Sequence, residues 1–539
     1  MMILMLASRI LGLIRNWVLA GSFGAGKELD IYNAAFVLPD LLANILITGA
    51  LSVAFIPVFT TLITDRKEKQ AWEMASTLIN ASIFIYLLAS FFFIIFAPFF
   101  ARLLVPGFTH DQQNEVSNLM RMLIFAELFL IVGSFLTSVL QSYHRFIVSA
   151  MAPVVYNLGI ILGIIWLSPH FGIYGVVVGV IFGAILHLLI QLPIVKGLGF
   201  HYQTVLNLKD WSVLKVARLS LPRAAGVGLS QLEWVVSVFL ASYLLSGSVT
   251  ILKFASDLQN FPIGLFGITI ATASLPTLSG EWATNNINHF KATFLSSLHQ
   301  ILYLAVPLSV ILMVLRIPVV RLALGSSGKF TWEDTVLTAV TLSFFAVGVF
   351  AQAGYLLVAR AFYAMHDTVT PLRVSVVSLL VHILLSTFFI FQPTVAEEFK
   401  VASLAISSTI TSTIAFLLAL FILSKRVGGF DSQRLYLPAA KIFVASIVMG
   451  IVLYLPLHIR FYDRYLIDYI IDTTRTLNLF FLTASVGVVG LVVYFLLTWW
   501  FKSEELKTFL KLLNKLRGWQ KAFKLDEPID GASTDKRAG

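Results

Sequence analysis

The chain has 539 residues, of which 58% are hydrophobic and 12% charged, and its mean hydropathy is +0.88. So little polar surface excludes a soluble core of this size and defines an integral membrane protein. The absence of cysteine excludes disulfides, iron–sulfur clusters and thiolate zinc sites, and the net charge of +10 points to cytosolic loops and an anionic membrane surface or ligand rather than to nucleic acid.

Apolar runs of about 20 residues, the length that crosses hydrocarbon, recur from end to end. Spans are predicted at 3–22, 31–63, 76–104, 117–142, 149–168, 173–195, 213–245, 249–279, 294–315, 335–363, 370–391, 399–424, 436–457 and 478–501, fourteen in all. The first has no basic region before it and no small-residue cleavage site, so it is expected to be a span and not a signal peptide. With the N-terminus cytosolic, the loops on that side hold Arg66, Lys67, Lys69, Arg145, Lys196, Lys209, Lys291, Lys425 and Arg426, and the tail adds Lys502, Lys507, Lys511 and Lys515. This bias predicts that both termini are cytosolic. The tail spaces Leu506, Phe509, Leu513, Leu516 and Phe523 along one side of a helix expected to lie on the membrane surface.

The chain contains a repeat. "AFIPVFTTLITDRKEKQAWEMASTLINASIF" from Ala54 reads like "ASLPTLSGEWATNNINHFKATFLSSLHQILY" from Ala273. Downstream, Tyr143 and Tyr363 each precede a tight loop and a Pro, and "VKGLGF" ending at Phe200 echoes "KRVGGF" ending at Phe430. Each copy spans six helices, an even number, so the copies are parallel and should face each other across a cavity, as in transporters. The predicted fold is all-α and polytopic. It comprises an N-terminal six-helix lobe (1–200), a C-terminal six-helix lobe (201–430), two additional transmembrane helices (431–501) and a basic tail (502–539).

Arginine within a span costs a few kcal/mol or more unless it meets water or a partner. The first span carries Ser8, Arg9, Arg15 and Asn16; Arg9 and Asn16 share a helix face, and Arg15 sits about 120° away. Asp30 begins the second span, which adds Asn33, Asp40 and Asn44. The seventh brings Arg223, Ser230, Gln231 and Glu233, and the eighth Lys253, Asp257, Gln259 and Asn260. If these four spans line the cavity, the arginines face water and pair with the carboxylates. Arg121, Glu127, His187 and His382 are expected to be structural. Gly264, Gly267, Ala271 and Ala273 give the eighth span a face for close helix packing.

Catalytic signatures do not occur. "GSFGAGKELD" lacks the phosphate-loop spacing, no HExxH or GxSxG is present, and Asp463, Asp468 and Asp472 follow no catalytic pattern, so no enzyme activity, cofactor or metal is expected.

Several strings taken together, "SRILGLIRNWVLAGSFGAGKELDIYNAAFVLPDLL", "GALSVAFIPVF", "FASDLQNFPIGLFGITIATASLPTLS", "GKFTWEDT" and "RAFYAMHDTVTP", resemble the MurJ (MviN) family. These are the lipid II flippases of the multidrug/oligosaccharidyl-lipid/polysaccharide exporter superfamily, and the resemblance runs from about Met1 to Lys425. It implies two six-helix lobes, an extra helix pair whose groove holds the lipid tail, and alternating access that carries an undecaprenyl-pyrophosphate-linked peptidoglycan precursor across the inner membrane. It also implies that Ser8, Arg9, Arg15 and Asp30 stand at functional positions. The chain departs from the family pattern at Asn16, at Ala43, at Thr48, at Asp257, which stands where the family has arginine, and at Asn260. Arg223 and Lys253 are the compensating cations. The expected partners are lipid II or a related polyprenyl-pyrophosphate glycolipid, membrane lipids and the cell-wall synthesis machinery.

Overall fold

The computed structural model describes residues 2–50, 55–200, 202–325, 328–458, 460–461, 464–465 and 475–508. A chain in lipid must satisfy its backbone polar groups internally, and apart from a two-residue antiparallel ladder at Arg460–Phe461 and Arg464–Tyr465 the regular structure described is helical. The long helices are α1 (Met2–Phe23), α2 (Lys27–Ala50), α3 (Glu68–Ile95), α4 (His110–Ser142), α5 (Phe146–Leu162), α6 (Ile173–Leu189) and α7 (Trp211–Ala241). They continue as α8 (Ser248–Pro262, running through a widened turn at Ile263–Ile268 into Thr269–Ala283), α9 (Ile287–Val314), α10 (Trp332–Ala364), α11 (Val369–Ile390), α12 (Lys400–Arg426), α13 (Ser432–His458) and α14 (Thr476–Trp500).

Among the described residues, 13 helices are long and apolar enough to cross a membrane, α2 through α14; α1, with its two arginines, stands outside that count. One expected span is broken: 76–104 yields α3 and a separate helix Ala97–Leu104, with Pro98 in its first turn, where a missing N–H costs nothing and a new helix can start. The run 31–63 contains α2 and the helix Ile56–Thr64, and residues 51–54 between them lie outside the described residues. The amphipathic tail lies outside the described residues beyond Lys507–Thr508; its first turn is seen, with Leu506 buried.

The repeat is visible in local backbone chemistry. Arg66 and Asn285, before α3 and α9, are both left-handed, with φ of 59° and 54°. His144 and His366, before α5 and α11, match them at 59° and 60°. Thr109 and Thr331 open α4 and α10 with reciprocal capping boxes, each closed by the residue three positions on. Each pair keeps the offset found in the sequence.

We call the end of the bundle where α1 begins the near face, and the opposite end the far face. The buried apolar side chains form three clusters. One lies at the far face and draws on both halves of the chain, joining Leu19, Ile31 and Leu119 to Leu252, Phe254 and Leu342. The other two lie toward the near face and are separate from each other: Phe55, Phe59, Trp72 and Phe135 of the N-terminal half together with Val213 and Val216 at the start of α7, and Phe290, Phe294, Leu357 and Phe416 in the C-terminal half. Helices α13 and α14 belong to the last cluster through Met449, Leu453 and Tyr494, and the Tyr494 hydroxyl donates to the Tyr303 carbonyl at 2.9 Å. A shared core at one end and divided cores at the other describe two halves that meet at the far face and part toward the near face.

The turn between α10 and α11 is fixed by Asp367. Its carboxylate accepts from the backbone N–H groups of Val369 and Thr370 at 3.1 and 3.0 Å, from the Thr370 hydroxyl at 2.7 Å, and from Arg426 at 3.2 Å. Partial burial pushes this carboxyl up, but the Thr370 hydrogen bonds and the Arg426 guanidinium outweigh it and hold it below the usual carboxylate value. A depressed folded value gives stability that is present above the unfolded value and lost as pH falls through the folded one. Asp367→Asn should therefore lower stability by about 1 kcal/mol at neutral pH, read as a lower melting temperature in detergent, and the gap from the parent should close below the ordinary carboxylate value. A gap that does not change with pH would assign the effect to something other than the charge.

Candidate functional site

The charged residues of α1 face two directions, as their spacing requires. Arg9 and Asn16 both reach α8. Arg9 Nη1 donates to the Phe261 carbonyl at 3.4 Å, and Asn16 Nδ2 donates to Asp257 Oδ2 at 3.1 Å. Arg15 turns toward α5, where Nη1 donates to Asn157 Oδ1 at 3.3 Å, while its Nε and Nη2 both donate to Asn16 Oδ1 at 3.2 and 3.0 Å. Arg9 remains exposed even though it crosses to the other half. Asn260, also exposed, lies one turn away on α8.

The expected pairing of arginines with carboxylates is not what forms. Asp257 pairs with Lys253 one turn earlier on its own helix, Nζ to Oδ1 at 2.5 Å, and reaches Arg15 only through Asn16. Among the described residues no carboxylate lies within 4.0 Å of Arg9 or Arg15. The acidic residue on α8 thus pairs with the neighbouring lysine and leaves the arginines of α1 without a direct ion pair, although Arg15 is close enough to Asp40 of α2 to feel its charge. An i,i+4 pair forms readily because the two side chains lie on one helix face.

Asp30 does a different job from the one its place in the sequence suggests. It is buried, and its oxygens accept from the Gly247 N–H at 2.6 Å, the Thr250 N–H at 2.8 Å and the Thr250 hydroxyl at 2.7 Å. These are the first N–H groups of α8, so Asp30 of α2 caps a helix of the other half. Gly247 is left-handed at φ 94° and its backbone sits against the Ala25 carbonyl, two demands that only glycine meets together. More bonds close the same face: Lys329 N–H to the Gly21 carbonyl at 2.8 Å, Gly107 N–H to Ser242 Oγ at 3.2 Å, and Asn33 Nδ2 to Thr250 Oγ1 at 3.3 Å.

The remaining predicted residues are spread around this site. Ser8 is half-buried on α1. Ala43 is buried in the near-face core of the N-terminal half and presents nothing to the cleft. Arg223 is in α7, but its side chain lies outside the described residues, as do Thr48, Asp463, Asp468 and Asp472. Asp40 of α2 hydrogen-bonds to the buried Glu127 of α4, joining a residue expected in the cavity to one expected to be structural. His382 meets Ser237 of α7 at 2.9 Å. Sequence reasoning missed Asn157 and Thr250, the partners of Arg15 and Asp30. Asn157 gave a signal, a lone amide in the apolar string "VVYNLGIIL".

Two repeated six-helix halves that share a core at one face and have separate cores toward the other, with arginines of the first helix reaching across to the second half, define a two-lobed membrane transporter. The fold is shared with a solved multidrug resistance MATE family transporter of the MOP superfamily in an inward-facing conformation, with a TM-score of 0.61 and 14% identity over 78% of this chain and 94% of that one. A second solved structure, described as "Lipid II flippase MurJ, inward closed conformation", superposes with a TM-score of 0.74 and 24% identity, covering 93% of this chain and 99% of the other. The family model for the lipid II flippase MurJ matches residues 19–469. Curated relatives named "Probable lipid II flippase MurJ" are similar over most of their length. That of Buchnera aphidicola subsp. Acyrthosiphon pisum is 28% identical over 84% of this chain and 88% of its own length, and that of Vibrio cholerae 29% identical over 71% and 75%. The chain belongs to the MurJ family.

The far-face closure can be tested directly, because the chain has no native cysteine. With Ser248→Cys as a reporter beside the Asp30 cap, maleimide labelling should be slow in the parent. Adding Asp30→Asn removes one of the acceptor oxygens and should raise the labelling rate about tenfold, the factor that corresponds to one charge-assisted hydrogen bond. Unchanged labelling would remove Asp30 from the closure.

Proposed function

We infer that the chain is a lipid II flippase that moves its substrate by alternating access, with Arg9 and Arg15 receiving the pyrophosphate and Ser8 close by on the same helix. One observation carries this reading: two arginines in the membrane region have neutral amide and carbonyl hydrogen-bond partners and no carboxylate within 4.0 Å among the described residues, and one of them is exposed. Such a site has spare positive charge and unsaturated donors. A pyrophosphate supplies the matching anion, and in a shielded cleft charge-assisted bonds to a guanidinium are strong and geometrically specific.

The basic bias of the loops supports the near face as the cytosolic one and the inner membrane as the location, with both termini cytosolic. Lipid II then enters from the cytosolic leaflet while the polyprenyl chain stays in lipid or lies along α13 and α14. Their outward sides carry exposed Val444, Ile447, Ile451, Phe480 and Val488. Release on the other side requires the far-face contacts to break, so the Asp30 cap on α8 acts as an outer gate and not as a ligand. Asp257 tunes the site by holding Lys253 away from the phosphates. No bond is made or broken in the substrate, and the work is that of binding and reorientation. The cell-wall enzymes that make and use lipid II are the natural neighbours of such a protein.

The test is to deplete the resident lipid II flippase of a bacterium, express this chain and measure lipid II reaching the outer leaflet. The parent should restore it. Arg15→Ala should abolish the rescue without reducing membrane abundance, because about 1.5–3 kcal/mol of charged hydrogen bonding is lost at the phosphate. Rescue by Arg15→Ala would reassign this arginine to packing, and failure of well-expressed parent protein would end the lipid II assignment.

A further inference from the structure

Gly264 and Gly267 belong to the same small-residue face of α8, yet they meet different things. A Cβ at Gly267 would lie 2.9 Å from the Cβ of Ala353 and 3.0 Å from its Cα, which is close packing of α8 on α10. A Cβ at Gly264 would have as its three nearest neighbours Arg9 Nη2 at 2.5 Å, Nη1 at 2.7 Å and Cζ at 3.0 Å. The guanidinium of Arg9 therefore occupies the volume in which a side chain at position 264 would begin. From there it donates to the Phe261 carbonyl.

The local backbone suits this contact. The turn that follows Phe261 and Pro262, Ile263–Ile268, is widened to i→i+5 hydrogen bonds, which shifts the partners of the carbonyls that lead into it. Carbonyls beside such a break are open to an outside donor. Arg9 comes from the other half of the molecule, so this is a bridge across the exposed cleft on the side away from the far-face closure.

We propose that Gly264 is a positioning residue for Arg9: its missing side chain is the seat that lets the guanidinium cross from α1 to α8, where it bridges the two halves until a phosphate oxygen takes it. The proposal rests on the reading above that Arg9 serves a phosphorylated head group. The bridge is a single bond of 3.4 Å to a neutral oxygen, whereas a phosphate offers charge and a second acceptor. Substrate therefore wins the guanidinium from Phe261 and releases the bridge as it binds. Because the clash at position 264 is with the end of a flexible side chain and not with backbone, Gly264→Ala displaces Arg9 and leaves the packing of α8 in place.

The experiment is a double-mutant cycle on purified protein reconstituted in liposomes containing lipid II, with melting temperature measured alongside. Gly264→Ala should lower translocation about tenfold, the loss expected from removing one charge-assisted hydrogen bond, with an unchanged melting temperature. Arg9→Lys should itself reduce activity, since an ammonium lacks the planar fork. In that background Gly264→Ala should add no further loss, because a slender lysine does not fill the seat. Equal fractional losses in both backgrounds, or none in either, would overturn the proposal and return Gly264 to helix packing. A second arm does not depend on the cargo. An electron-microscopy structure of Gly264→Ala in nanodiscs should show Arg9 moved off the Phe261 carbonyl, and an unmoved Arg9 overturns the proposal whatever lipid is carried. Failure of the parent to translocate lipid II would count against the substrate reading alone.

Discussion

A charge inside a membrane must find water or a partner, and the arrangement of this protein follows from how α1 meets that condition twice. Arg15 finds two amides, Asn16 and Asn157, and Arg9 finds water and a backbone carbonyl. Neither finds a carboxylate. A membrane protein that used its arginines for packing would pair them, because a buried unpaired charge is far more costly than a paired one. Here the nearby carboxylate, Asp257, pairs with Lys253 on its own helix. The arginines keep their charge for a ligand, and the helix that carries them cannot retreat into lipid.

The same condition explains why the two halves part toward one face only. At the far face the contacts are neutral backbone groups, a capped helix end and a continuous apolar core, all of which tolerate a dry environment. Asp30 is a buried charge there, and it is met by three donors. Toward the near face the cores of the halves are separate, and water reaches the polar residues between them.

Ala43, Asn16 and Asp257 take distinct places in the structure. Ala43 is buried in the core of one half, where a small apolar residue fits. Asp257 places a carboxylate on α8, and Asn16 supplies the amide that links it to Arg15. With Lys253 neutralised, positive charge is concentrated on α1. The glycine at position 264 then matters more, since it governs where Arg9 ends.

Much was legible before any coordinates. Composition and twenty-residue periodicity determined a membrane protein of about fourteen helices, because crossing hydrocarbon constrains length and polarity residue by residue. The repeat, the parallel halves and the family were also written in local strings, and the helical geometry of α1 already placed Arg9 and Asn16 on one face and Arg15 on another. What the sequence could not determine was partnership. Asp30 with Gly247 and Thr250, Asn16 with Asp257, Arg15 with Asn157 and Arg9 with Phe261 join residues 142 to 252 positions apart. No periodicity encodes such pairs. Only the packing of one half on the other decided that the aspartate at the start of α2 would become a cap for a helix of the other half, and that a glycine on a packing face would become the seat of an arginine.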